Sequence, residues 1–261
     1  MIALPSTVLN AADPVAMCAT IDVGREIAGR SDAMILGLAR NLGSRINQTE
    51  QVLKSIMPLF NTCTVFIYEN DSTDDTVARL NNLASRDKRV TIQSEQRGDQ
   101  KWPSVRSGAR GTQMASYRNI CRHAFLGSAA QYAIVVDLDI MAVETEGILH
   151  TLGKPDWDAV GSNGLHFLNG RWTQYDAWAW RDLGRHVAHH HTEINRRVYR
   201  RGDPMLPVKS CFGGMAIYQR AALQDAVYVG GDCEHVGLHT AMAVAGHNRI
   251  FCNPTQIVRY S

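Results

Sequence analysis

Tyr132-Ala133-Ile134-Val135-Val136-Asp137-Leu138-Asp139 is the stretch on which the fold reading turns. Its first part is an uninterrupted apolar run, as a central parallel strand buried on both faces requires. Side chains alternate across a strand, so Asp137 and Asp139 share a face at its end. Outward from this stretch the chain alternates between two periodicities. Ala33-Met34-Ile35-Leu36-Gly37-Leu38, Thr64-Val65-Phe66-Ile67-Tyr68 and Arg89-Val90-Thr91-Ile92 read as strands. Between them, Val52, Leu53, Ile56, Met57 and Phe60 recur at helical spacing within Gln48 to Phe60. Asp74 to Ser85 predicts a helix with Ser72 or Thr73 as its N-cap, and Met114 to Leu126 predicts another. This alternation implies a doubly wound α/β fold with a mostly parallel sheet flanked by helices. In such sheets ligands collect beyond the carboxyl ends of the strands, which directs attention to the residues after Tyr68 and Val136.

The second half is less periodic. Residues 161–210 are rich in Trp, His, Arg and Gly and read as a long functional loop or lid, or else as a partly disordered segment. Val236 to Ala245 predicts a last helix, ended by Gly246. Arg249-Ile250-Phe251-Cys252 predicts a last short strand, closed by Pro254.

At 261 residues the chain can bury a core without staples, and residues 1–261 are expected to form one domain. A net charge of +2 argues against a nucleic-acid binder working through a broad basic field. The six cysteines form no CxxC pair, which removes zinc ribbons and dithiol redox motifs, and reduced buried thiols are expected. The amino terminus has neither the basic start nor the apolar run of a secretory leader. No stretch has the roughly 20 apolar residues of a bilayer span. The expectation is a cytoplasmic protein, with peripheral contact at the inner face of a membrane left open.

Two carboxylates at a strand end suit a divalent cation, Mn²⁺ or Mg²⁺, which takes oxygen ligands and completes its shell with substrate phosphates. The second motif is Phe66-Ile67-Tyr68-Glu69-Asn70-Asp71-Ser72-Thr73-Asp74-Asp75-Thr76. Glu69, Asn70 and Asp71 fall at a strand end and are candidates for a base edge or ribose hydroxyls. Ser72 to Thr76 are ordinary turn and capping residues.

Together, YENDSTDDT and VVDLDI resemble the V-D-D-G-S-x-D-x-T segment and the DxD motif of GT-A fold glycosyltransferases. Tyr68-Glu69-Asn70-Asp71 in place of V-D-D-G is a departure shared with capsule-associated mannosyltransferase-type proteins. The resemblance spans residues 33–260 and implies a single GT-A, Rossmann-like domain. Residues 33–140 would be its nucleotide-sugar half and 141–261 its acceptor and catalytic half. It further implies that Glu69 and Asn70 contact the nucleoside, with Arg40 and Asn41 beside them. Asp137 and Asp139, with Leu138 between, would hold the metal and the UDP- or GDP-linked sugar.

Paired Gly213-Gly214, before the apolar strand Met215 to Tyr218, either lets backbone approach the ligand or makes a tight bend. Gly230-Gly231-Asp232-Cys233-Glu234-His235 is similar to the acidic region that supplies the base in inverting members. His235 stands in the place of the family's aspartate, so the base is Asp232 or, by preference, Glu234. His235 and His239, one helical turn apart, are candidates for one metal ligand. The terminal Ile257 to Ser261 lacks the family's metal-binding histidine, and Arg259 is offered for the diphosphate instead. Arg118 is placed to meet phosphate oxygens, and Trp102 to Arg110 to add donor contacts.

Trp172, Tyr175, Trp178 and Trp180 are either an acceptor platform or core. His189-His190-His191 is not assigned a metal, and Arg196-Arg197 with Arg200-Arg201 reads as solvated charge. The resulting expectation is a metal-dependent hexosyltransferase acting on a glycan or lipid-linked acceptor. Its rivals are a nucleotidyltransferase using the same aspartates and a non-catalytic sugar- or nucleotide-binding module.

Overall fold

The structure, a computed structural model, describes residues 3–103 and 106–260. Its strands are β1 (Asp32–Ala39), β2 (Thr62–Asn70), β3 (Val90–Glu95), β4 (Tyr132–Asp137), β5 (Ala142–Val143) and β6 (Ala159–Leu168). The later ones are β7 (Arg171–Gln174), β8 (Arg181–Asp182), β9 (Leu206–Ser210), β10 (Met215–Gln219) and β11 (Ile250–Arg259). The helices are α1 (Ser6–Leu9), α2 (Pro14–Gly29), α3 (Ile46–Ile56), α4 (Thr76–Arg86) and α5 (Gly108–Leu126). They continue with α6 (Thr145–Leu152), α7 (His191–Ile194), α8 (Arg220–Gln224) and α9 (Glu234–Val244).

One sheet runs in the order β3-β2-β1-β4-β10-β6-β11-β9-β8. Its first four strands are parallel, β10 runs antiparallel between β4 and β6, and β6 pairs with β11 in parallel. Alternation along the central strands feeds two cores. Ile35, Ile134, Val136 and Ile217 face one, where α2, α3, α4 and α6 pack. Leu36, Ala133, Val135 and Tyr218 face the other, against α5, α8 and α9. An apolar run such as Tyr132 to Val136 is needed because both of its faces are covered. No helix among the described residues is long and apolar enough to cross a membrane.

Three expectations are corrected here. Residues 161–210 are not a lid: they contain most of β6 together with β7, β8, α7 and β9. Their periodicity was hidden because β6 buries Ser162 and Asn163 rather than alternating apolar residues. Pro254 does not close the last strand, since β11 continues to Arg259, with a register shift between Asn253 and Ile257. A proline inside a strand belongs at such an irregularity. Finally, α4 begins at Thr76 with Asp75 at its N-cap. Ser72 and Thr73 are used across the sheet edge instead. The Asn41 amide donates to Ser72 Oγ at 2.9 Å and the Thr73 amide to Asn41 Oδ1 at 2.7 Å.

Two buried histidines set an acid limit on this fold. His239 lies between Ser210 Oγ (2.9 Å) and Tyr218 OH (3.1 Å), and burial lowers it to about 3. His150, beside Asn253 Nδ2 at 3.1 Å, is lowered to about 4, chiefly by burial. A histidine depressed in the folded state stays neutral there while the unfolded chain takes up a proton. Stability is therefore complete above the ordinary value of 6.5 and falls as pH drops toward 4. Each group should contribute a slope of about 1.4 kcal/mol per pH unit within that window. Chemical denaturation across it should show the loss, and His239→Gln should flatten the slope.

Candidate active site at the strand ends

The turn after β4 is held from below by α3 and by Arg45 at its N-cap. Thr49 Oγ1 donates to the Leu138 carbonyl at 2.6 Å, and Arg45 Nη1 donates to the Asp139 carbonyl at 2.9 Å. Leu138 is buried, so its backbone is anchored while the Asp139 carboxylate is exposed in a cleft of about 470 Å³. The surrounding walls, and then the Asp137 charge, raise the Asp139 carboxyl above its ordinary range. Asp137 is held differently. Arg118 Nη2 donates to its Oδ1 at 2.8 Å, and Tyr260 OH donates to its Oδ2 at 2.9 Å. The two carboxylates thus meet at one strand end, one fixed and one open.

Arg40 and Asn70 also line this cleft, the former donating from Nη2 to the Asp99 carbonyl at 2.8 Å. Glu69 does not reach it. Its carboxylate is fully buried, accepting from the Ser72 amide at 2.9 Å and from Ser94 Oγ. Asp71, at φ 51°, is likewise turned inward. It accepts from the amides of Arg97 (2.7 Å), Gly98 (2.8 Å) and Asp99 (3.1 Å), and from Asn70 Nδ2 (2.9 Å). Desolvation opposes its ionisation, but these donors together bring it down to about 2. Glu69 and Asp71 therefore build the wall of the cleft, and of the three residues only Asn70 faces into it. Within Trp102 to Arg110, residues 104 and 105 lie outside the described residues; Trp102 and Arg110 line the cleft.

Gly213 and Gly214 adopt φ of 62° and 85°, and the backbone they admit is the protein's own. A Cβ on Gly213 would lie 2.0 Å from the Ser162 carbonyl oxygen, and one on Gly214 would lie 2.3 Å from Tyr260 OH. The tight-bend reading accounts for both. Gly214 thereby makes room for Tyr260, whose ring stacks on Tyr175 at 3.9 Å between centroids and whose hydroxyl reaches Asp137. Gly214→Ala should cost about 2 kcal/mol or more from the left-handed backbone and the clash combined. A lowered urea midpoint would show it, and an unchanged midpoint would mean that Tyr260 is not held against this glycine.

A second cavity, of about 190 Å³, adjoins the cleft across Arg110, Met114, Arg118, Asp137 and Tyr175. Glu234 lines it from the first turn of α9. Its Oε1 lies 3.8 Å from Arg118 Nε and 3.5 Å from His235 Nε2. Burial raises the Glu234 carboxyl, with Arg118 acting in the opposite direction. Asp232 does not line the cavity; it pairs with buried Arg181 at 2.6 Å and accepts from the Cys233 amide at 2.7 Å. Of the two acids considered as the base, only Glu234 is brought to the site.

His235 stacks on Phe212 with centroids 3.6 Å apart, and neither of its ring nitrogens has a hydrogen-bond partner among the described residues. His239 is one turn further into the core, with both nitrogens engaged by Ser210 and Tyr218. The shared helix face packs inward, so His239 is corrected from metal ligand to core residue. Among the described residues no group of three or more His, Cys, Asp or Glu side chains converges as a metal cluster. This also argues against His235 as a third ligand. The donor set that remains, two hard carboxylates with open space before Asp139, fits Mn²⁺ or Mg²⁺ sharing its shell with phosphate oxygens. Arg259 pairs with Glu144 at 3.1 Å rather than facing the cleft.

Of the aromatic candidates, Tyr175 lines both spaces and Trp178 the smaller one, whereas Asp176 and Tyr260 were not singled out as site residues by the motifs. Tyr260, the residue after β11, reaches Asp137, and only the strand order, with β11 beside β6, puts it there. No local signal marks it.

Parallel strands ending in paired carboxylates define the class: this is a GT-A type α/β domain. The chain belongs to the family described as Cryptococcal mannosyltransferase 1, which residues 38–244 match. Solved structures share the fold at low identity. The mannosyltransferase PcManGT from Pyrobaculum calidifontis, in complex with GDP-Man and Mn²⁺, aligns with a TM-score of 0.53 at 11% identity. That alignment covers 94% of this chain and 65% of the other. GalNAc-T7 with UDP, GalNAc and Mn²⁺ aligns with a TM-score of 0.55 at 11% identity, over 88% of this chain and 43% of that one. S. aureus TarS with UDP-GlcNAc gives a TM-score of 0.52 at 14% identity, over 88% and 58%. This chain therefore spans less than two thirds of the length of each. No curated protein sequence matches it.

Proposed function

We propose that the protein is a metal-dependent glycosyltransferase that moves a hexose from a nucleotide-diphosphate donor to a hydroxyl of a glycan or lipid-linked acceptor. The observation that carries this reading is the union of two spaces across Arg118. The cleft holding the open Asp139 carboxylate joins a smaller cavity holding Glu234. The family description and the GDP-Man in one neighbour make mannose on GDP the first donor to test.

Asp137 and Asp139 would hold the cation, which supplies charge neutralisation at a diphosphate leaving group. Arg110 and Arg118 line both spaces, so their guanidinium groups would stabilise the charge that develops as the glycosidic bond breaks. Arg45 and Thr49 fix the backbone of the aspartate turn, and Tyr260 fixes the Asp137 carboxylate. Glu234 is the base that accepts the acceptor's proton if the anomeric centre inverts. Its raised pKa brings it closer to the working pH, which suits that task.

Incubation with GDP-mannose, UDP-GlcNAc and dTDP-glucose tests the reading, each with Mn²⁺ and each with EDTA. One donor should release its nucleoside diphosphate in the presence of metal, and chelation should lower that rate about 100-fold or more. Absence of both turnover and binding for every donor would leave a non-catalytic module as the better description.

A further inference from the structure

The smaller cavity carries an imbalance that the donor site does not explain. Its floor contains polar atoms with no hydrogen-bond partner among the described residues: Arg118 Nε and Nη1, and both ring nitrogens of His235, one a donor and one an acceptor in the neutral ring. Both side chains are more than nine-tenths buried and line the cavity. Buried donors without partners are costly, and they mark places where a ligand oxygen would be rewarded. Its rim adds Arg106 and His191, which line this cavity and not the donor cleft.

The acids there are mostly committed elsewhere. Asp137 is held by Arg118 and Tyr260 toward the donor cleft. Asp176 spends its carboxylate on the amides of Phe212 (3.0 Å), Gly213 (2.7 Å) and Ala179 (3.0 Å). With Asp137 paired to Arg118, Glu234 is the acid of this cavity that is left to face the rim guanidinium of Arg106. Trp178 adds an aromatic face, over which the Arg110 guanidinium lies at 4.8 Å.

We infer that this cavity is an acceptor subsite for a sugar bearing an anionic oxygen group, a carboxylate or a phosphate ester. The anionic group meets Arg106 and His191, while a ring hydroxyl meets Glu234 and His235. This rests on the glycosyltransferase reading and names the acceptor class for it. A neutral sugar gives the Arg106 guanidinium no anionic partner and gains less.

Calorimetric titration of the full chain with glucuronic acid, mannose 6-phosphate and neutral mannose separates the cases, with GDP plus Mn²⁺ as a donor-cleft control. At least one acidic sugar should bind roughly tenfold more tightly than mannose, and the two acidic arms tell carboxylate from phosphate. Arg106→Gln and His191→Gln should each erode that preference about threefold or more, while GDP binding stays unchanged. Equal affinity for acidic and neutral sugars would overturn the inference, as would acidic-sugar binding that ignores both substitutions. If GDP binds with Mn²⁺ but no acidic preference appears, only this inference falls. If GDP fails to bind, UDP and dTDP take its place, and if none of the three binds with Mn²⁺ and no sugar binds, the transferase reading falls with it.

Discussion

Asp139→Ala should abolish metal-dependent donor binding and lower kcat/KM by about three orders of magnitude or more, with little change in folding stability. The two effects separate because of how this carboxylate is placed. Its backbone carbonyl is anchored by Arg45, but the side chain is exposed in the cleft and crowded by the Asp137 charge. Removing an exposed, like-charge-strained group should shift stability by no more than about 0.5 kcal/mol. Asp137→Ala is the poorer probe, since it also strips a buried arginine of its closest counterion. The measurement is a thermal shift with GDP and UDP, each with and without Mn²⁺. Wild type should show a metal-dependent rise for one nucleotide and the variant none. A variant that keeps the full rise would mean that the cation is not held at this strand end.

Much of this was legible in the chain. The strands of the first half were readable because both of their faces are buried, which forces uninterrupted apolar runs such as Tyr132 to Val136. Asp137 and Asp139 followed from strand alternation and from the rule that ligands lie beyond strand ends. Residues whose importance comes from pairing across the sheet were not legible. Tyr260 reaches Asp137 only because β11 lies next to β6, and β6 beside β10. Glu69 and Asp71 carried the polar character of binding residues, yet that polarity serves amides and a hydroxyl of the 94–99 segment and the Ser72 turn. Composition cannot distinguish a carboxylate aimed at a ligand from one that satisfies its own backbone. The same ambiguity applies to the helical pair His235 and His239. Spacing put them on one face, but which neighbours that face meets is decided by packing.

Arg118→Met should have the largest effect on the folded state. The guanidinium is almost fully buried, 2.8 Å from Asp137 and 3.8 Å from Glu234, and stands 5.4 Å over the Phe212 ring. Methionine can fill much of the stem's volume, so the loss is electrostatic rather than a cavity. Breaking a buried pair by removing one partner leaves the other charge uncompensated and costs about 3–5 kcal/mol. The lower part of that range is expected here, because Asp137 is partly exposed and keeps the Tyr260 hydroxyl, and Glu234 can protonate. Glu234→Gln in the same chain should recover part of the loss, since it removes the acid left most deeply buried. A coupling of about 1 kcal/mol or more between the two substitutions would establish that the pair acts as a unit. Urea unfolding of the two single variants and the double variant measures this directly. An Arg118→Met midpoint equal to that of wild type would mean that the guanidinium is not the buried counterion joining the two cavities. Arg118 would then have no claim to orient Asp137 in one space and Glu234 in the other.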